Sequence, residues 1–121
     1  MKLHAVVLGA LAFGIGGGAC GGKGAVSLTG KAQEKWTTLC VTCHGDTGHG
    51  DGPNAKTLKV KPRSFADAAW QDSVDDAHIR KIILEGGAAV GKSDLMPANP
   101  DLVGKDEAVL QLIAKVRSFK P

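Results

Sequence analysis

Two of the three cysteines in this 121-residue chain stand three positions apart and run directly into a histidine, as Cys40-Val41-Thr42-Cys43-His44. Two thiols at this spacing can each form a thioether to one flat conjugated group. The imidazole that follows is then placed to take that group's metal. C-x-x-C-H is the attachment signature of c-type haem for this reason. Two other uses of paired cysteines compete. A redox disulfide belongs ahead of a helix in a βαβ pattern, and no strand candidates flank the motif. A zinc site asks for a second ligand pair at comparable spacing, and the chain has no further cysteine or histidine pair.

The beginning of the chain has a different character. Lys2 and His4 precede an apolar run from Ala5 to Ile15, then Gly16-Gly17-Gly18-Ala19 and Cys20. A positive start, a short apolar stretch and small residues at the end form a secretory signal over residues 1–19. The run is far short of the roughly 20 apolar residues that a transmembrane helix needs. Its end also resembles the bacterial lipoprotein lipobox, which implies lipidation of Cys20. The departure is Gly17, where lipoproteins usually carry Leu. Residues 20–30 have no periodicity and read as a flexible tether, with a span of roughly 17 Å for ten residues. Residues 31–121 are the expected domain. Export fits the cysteine motif, because c-type haem is attached outside the cytoplasm.

Composition bounds what that domain can be. The whole chain carries 15 Lys and Arg against 12 Asp and Glu, and removal of the signal takes away only Lys2. So weak a balance excludes the dense basic face that nucleic-acid binding requires. Two Trp, three Phe and no Tyr make thin filling for a core. A bound group is expected to supply much of it, and the chain without that group is expected to be largely unfolded.

Helical signals account for most of the rest. Lys31 to Leu39 contains good helix formers, with Ala32 and Trp36 on the side of Cys40. From Lys105 to Phe119, the positions Val109, Leu112, Ile113 and Val116 repeat at i, i+3, i+4, i+7. Asp106 and Glu107 at the start of that stretch, and Lys115 and Arg117 near its end, suit the helix dipole. Ser73 or Asp75 can cap a middle helix to about Glu85, with Ile79, Ile82 and Ile83 on one face and Gly86-Gly87 ending it. Pro62, Pro97 and Pro100 mark loops. No alternating strand pattern appears, so the domain is expected to be all-α.

Taken together, the motif and the order of helices from about Lys31 to Phe119 resemble a class I cytochrome c of the small bacterial type. The resemblance implies a first helix leading into the motif and a last helix crossing it, around one covalent haem. Trp36 and Ala32 stand where the family places an aromatic and a small residue for that crossing. Lys115 departs from the family's aromatic, and its aliphatic stem is expected to substitute in part.

The same resemblance assigns the ligands. His44 is the proximal ligand, and Met96, in Leu95-Met96-Pro97, is the distal one. His49 and His78 are the competing imidazoles, the first on a Gly-rich loop and the second expected at the surface. That loop, Gly48-His49-Gly50-Asp51-Gly52-Pro53, is expected to bring backbone close to the haem. Pro53 is expected to offer its carbonyl to the free ring N–H of His44, which would raise the imidazole's basicity. Asn99 is expected to donate toward the Met96 sulfur, and Arg63 and Trp70 toward a haem propionate. Lys56, Lys59, Lys61 and Arg63 form a basic cluster that can steer an acidic redox partner.

His/Met ligation raises the potential and fills both axial positions. The expected function is therefore one-electron transfer between redox proteins, not an enzyme's turnover of a small-molecule substrate. The expected place is the periplasmic side of a bacterial membrane. The alternatives are a haem subunit of a larger oxidoreductase complex, or a haem enzyme or gas sensor if Met96 is displaced.

Overall fold

A computed structural model describes residues 25–121 of the chain. The signal peptide and Cys20 lie outside the described residues. Among those described the structure is helical, with no strand, as the sequence patterns predict.

The first helical rod is longer than expected. It begins as α1, Gly30–Lys35, widens into a π-helical turn over Trp36–Cys40, and closes as α2, Val41–His44. Threonine hydroxyls return to the rod's own carbonyls around this turn. Thr37 Oγ1 donates to the Gln33 oxygen at 2.9 Å, Thr38 Oγ1 to Glu34 at 2.8 Å and Thr42 Oγ1 to Leu39 at 2.6 Å. Such back-bonding competes with the regular ladder and loosens it locally.

The middle of the chain holds two helices. α3, Ala68–Ser73, is capped by Asp67, whose carboxylate accepts from Trp70 N. α4, Asp76–Glu85, is capped in the same way by Asp75 through His78 N. Asp75 is thus the cap and Ser73 the end of the preceding helix. The last helix, α5, is Asp106–Arg117.

α1 and α4 both pack on α5. The core they share contains Ala32, Trp36, Phe65, Ile79, Ile83 and Leu102, closed by Val109, Leu112, Ile113 and Val116 of α5. All four periodic positions of α5 are buried, so the apolar stripe read from the sequence is the face that packs. Of the α4 stripe, Ile79 and Ile83 enter the core and Ile82 is half-buried. The ammonium of Lys115 lies 5.4 Å from the centre of the Trp36 ring and 4.7 Å from that of Phe119. The ammonium of Lys115, and not only the aliphatic stem expected to pack there, therefore meets the stacked Trp36 and Phe119 rings.

Buried polar contacts tie the middle helices to α5. Gln71, only 3% exposed, donates through Nε2 to the Phe65 and Val116 oxygens, both at 2.9 Å. Arg117 reaches back to the Gln71 oxygen at 2.6 Å, the Val74 oxygen at 2.7 Å and the Asp76 carboxylate at 2.8 Å.

The domain also starts earlier than the sequence indicates. Thr29 N donates to Gln111 Oε1 at 2.8 Å, and Leu28 packs against the core. The last residues of the expected tether are therefore seated on the fold. No helix among the described residues is long and apolar enough to cross a membrane.

Candidate functional site

Cys40, Cys43 and His44 are at the end of the first rod, and all three line one cavity of about 1000 Å³. That is the upper end of the roughly 300–1000 Å³ range usual for cofactor and ligand sites. The walls are largely apolar. Leu39 comes from the rod, Val60 and Phe65 from the loop after it, and Trp70 and Val74 from the α3 region. α4 adds Ile79, Ile82 and Ile83, and α5 adds Val116. Met96, 52 positions beyond His44 in the chain, lines the same cavity from the loop before α5. The fold thus brings two thiols, an imidazole and a thioether to one apolar space.

His44 is held on two sides. Its ring stacks on Phe65, with centres 4.3 Å apart and planes 18° from parallel. Its Nδ1–H donates to the main-chain oxygen of Arg63 at 3.2 Å. A carbonyl can only accept, so this bond places the proton on Nδ1 and leaves the Nε2 lone pair for a metal. Burial lowers the pKa of His44 from its ordinary value, opposed by the bond to Arg63. That favours the neutral, ligating ring. Burial pushes the Cys40 thiol up to about 11, with the charge of Lys35 acting against it. Both motif cysteines are free thiols.

The expected role of Pro53 is corrected. Pro53 is exposed, starts a short 3-10 turn over Pro53–Thr57, and does not line the cavity. The carbonyl that meets His44 belongs to Arg63, ten residues farther along. The Gly-rich loop serves a related purpose. Gly52 N donates to the Cys43 oxygen at 3.1 Å and Gly50 N to the His44 oxygen at 2.9 Å. A Cβ at Gly52 would lie 2.5 Å from the Val41 and Thr42 oxygens. The loop therefore clasps the backbone of the motif helix and does not face the cavity.

Asn99 is 4% exposed and lines the cavity. Its amide is spent differently from the sequence expectation. Nδ2 donates to the Ile83 oxygen at 2.7 Å, and Oδ1 is buried without a hydrogen-bond partner among the described residues. Arg63 and Trp70 do stand together at the cavity. The guanidinium is 5.9 Å from the centre of the Trp70 ring and 3.6 Å from the Asp67 carboxylate.

His78, expected at the surface, is half-buried on the cavity wall. The signal was present, since His78 and Ile82 are four apart and share a helix face. Phe65 was also missed, because nothing local marks a lone Phe in a loop as a partner of His44. His49 is exposed and bonded to Thr47 at 2.9 Å. In the basic cluster, Lys61 is committed to the Ala55 oxygen at 2.8 Å. Among the described residues no three or more His, Cys, Asp or Glu side chains converge as a metal cluster. Comparison with protein-family models, with curated proteins and with solved structures finds no match for this chain.

Proposed function

We propose that this chain is a one-electron carrier of the class I cytochrome c type, holding one c-type haem covalently in the cavity. The reading is carried by the meeting of Cys40, Cys43, His44 and Met96 on one apolar cavity of about 1000 Å³. The residues present fit such a group. His44 and Met96 would hold the iron of such a group and the two thiols would tether it covalently, so no further cluster of metal-binding side chains is called for.

When bound, the haem supplies an iron couple that takes up and releases one electron, with a potential raised by Met/His ligation. The chain's own residues do the rest. Cys40 and Cys43 hold the group against loss. The Arg63 oxygen fixes the His44 tautomer and raises the basicity of Nε2. Phe65 and the α4 isoleucines would exclude water from the group, and Met96 would be its second ligand. Arg63 and Trp70, together on the cavity wall, would meet its propionates.

The signal over residues 1–19 and the lipobox-like Cys20 support export and attachment to the periplasmic side of a membrane. Other redox proteins are then the donor and acceptor. The deciding experiment uses the full chain, expressed with its own signal and a haem-attachment system. Visible spectra are recorded oxidised, reduced, and reduced under CO. A low-spin c-type spectrum with a red sulfur-to-iron band and no response to CO is expected. A high-spin spectrum or ready CO binding would remove Met96 as a ligand and move the function to catalysis or sensing.

A further inference from the structure

The loop that carries Met96 is pinned to one place, the C-terminal end of α4. A helix leaves its last four carbonyls without partners inside the helix. Here Ile82 O accepts from Gly86 N at 2.9 Å. The next two carbonyls are both taken by Asn99. Its side-chain Nδ2 bonds Ile83 O at 2.7 Å, and its backbone N bonds Leu84 O at 3.0 Å. A single buried residue, three beyond Met96, thus caps α4 from outside.

The peptide groups of Met96 are held as well. Gly87 N donates to Met96 O at 3.0 Å, and Met96 N donates to Ser93 O at 3.3 Å. Lys92 N closes the loop on Gly87 O at 2.9 Å. The approach is too close for any side chain. A Cβ at Gly87 would lie 2.1 Å from Ser93 O and 3.1 Å from Met96 Cβ. A Cβ at Gly86, where φ is +83°, would lie 2.8 Å from Met96 O.

We propose that the end of α4 is a latch that presets the position of Met96, with Gly86, Gly87 and Asn99 as positioning residues. The proposal rests on the reading of Met96 as a ligand. A thioether is a weak neutral donor, so it holds its site best when no loop has to be ordered on binding. In this arrangement Asn99 acts on Met96 through the backbone of the loop, and a looser latch raises the fraction of molecules in which the sulfur is away from the iron. An external ligand then competes in proportion to that fraction.

The test is an imidazole titration of the full-length holoprotein, followed in the Soret and red sulfur-to-iron bands. Asn99→Ala and Gly87→Ala are compared with Val109→Ala, a core control whose side chain is fully buried. The latch variants are expected to bind imidazole about tenfold more tightly than the parent, the scale of one lost buried hydrogen bond. Val109→Ala is expected to melt earlier with unchanged imidazole affinity. Unchanged affinity in both latch variants, or an equal gain in Val109→Ala, would overturn the latch. Should either latch variant fail to fold, amide exchange of the parent still decides. Gly87 and Asn99 N–H are expected to be protected like core amides, and exchange at exposed-loop rates would sink the proposal. A parent lacking the sulfur-to-iron band removes the ligand reading and the latch together, whereas a parent that has it lets the latch fail alone.

Discussion

His44 Nδ1 donates to the main-chain oxygen of Arg63, 19 residues away, at 3.2 Å. The bond joins the end of α2 to a loop whose path is set by Gly50, because a Cβ there would lie 2.4 Å from Pro62 O. The imidazole's tautomer is therefore controlled by backbone packing rather than by another side chain.

From this contact, Gly50→Ala is expected to push the Pro62–Arg63 segment away from His44. Losing the bond lowers the basicity of Nε2 and disfavours ferric iron. The midpoint potential should rise, by up to about 60 mV, which is a tenfold step for one electron. Pro53→Gly is expected to leave it unchanged. Redox titration of both variants checks this, and a shift confined to Pro53→Gly would reassign the carbonyl.

Arg117 bonds two main-chain oxygens, the Gln71 side-chain oxygen and one carboxylate at the junction of α3, α4 and α5. Arg117→Ala is expected to destabilise the holoprotein by about 2–3 kcal/mol, since hydrogen bonds to charged groups are worth about 1.5–3 kcal/mol each. Arg117→Lys should recover less than half of that, because an ammonium cannot reproduce the fork. Denaturant titration gives both values.

A chain that cannot attach haem, made by Cys40→Ala with Cys43→Ala, is expected to lack a cooperative melt. Without the group, the apolar walls of the cavity have nothing to pack against, and a typical domain has only about 5–15 kcal/mol of stability to lose. Calorimetry of this variant beside the holoprotein is the check. A melt as sharp as the parent's would contradict the role of haem as core.

Asp101 lies 2.8 Å from Lys35 and 3.4 Å from Lys31. The hydrogen bond from Lys35 first, and then that from Lys31, holds its carboxyl below the ordinary 3.8. The unfolded carboxylate takes up its proton first, so the pair stabilises the fold above the ordinary pKa. That contribution is lost as pH falls through the lowered value. Asp101→Asn is therefore expected to be less stable than the parent at about pH 7, with the difference shrinking below about pH 4. Denaturation midpoints across that range test the sign.

Much of this was legible in the chain itself. The α5 stripe of Val109, Leu112, Ile113 and Val116 was read from spacing alone, because a helix face is a property of neighbours three and four apart. The Gly86-Gly87 stop is equally local, and the cap was narrowed to Ser73 or Asp75, of which the structure has Asp75. His78 was misplaced although its spacing to Ile82 was visible. Periodicity gives a face but not what that face meets.

The sequence by itself determined the first, the α4 and the last helices and the thiol pair with its histidine, since these depend on residues within one or two turns, whereas α3 and its Asp67 cap were not read from it. It also named Met96, through resemblance rather than physics. Only the tertiary structure decided which carbonyl meets His44, how Asn99 spends its amide, and that Met96 and the cysteine motif line the same cavity. The two hydrogen bonds join residues 16 and 19 positions apart, and the shared cavity wall joins residues 52 or more apart. Their partners are chosen by the paths of the Gly50 and Gly87 loops, and those paths are set by close backbone packing that no local pattern encodes.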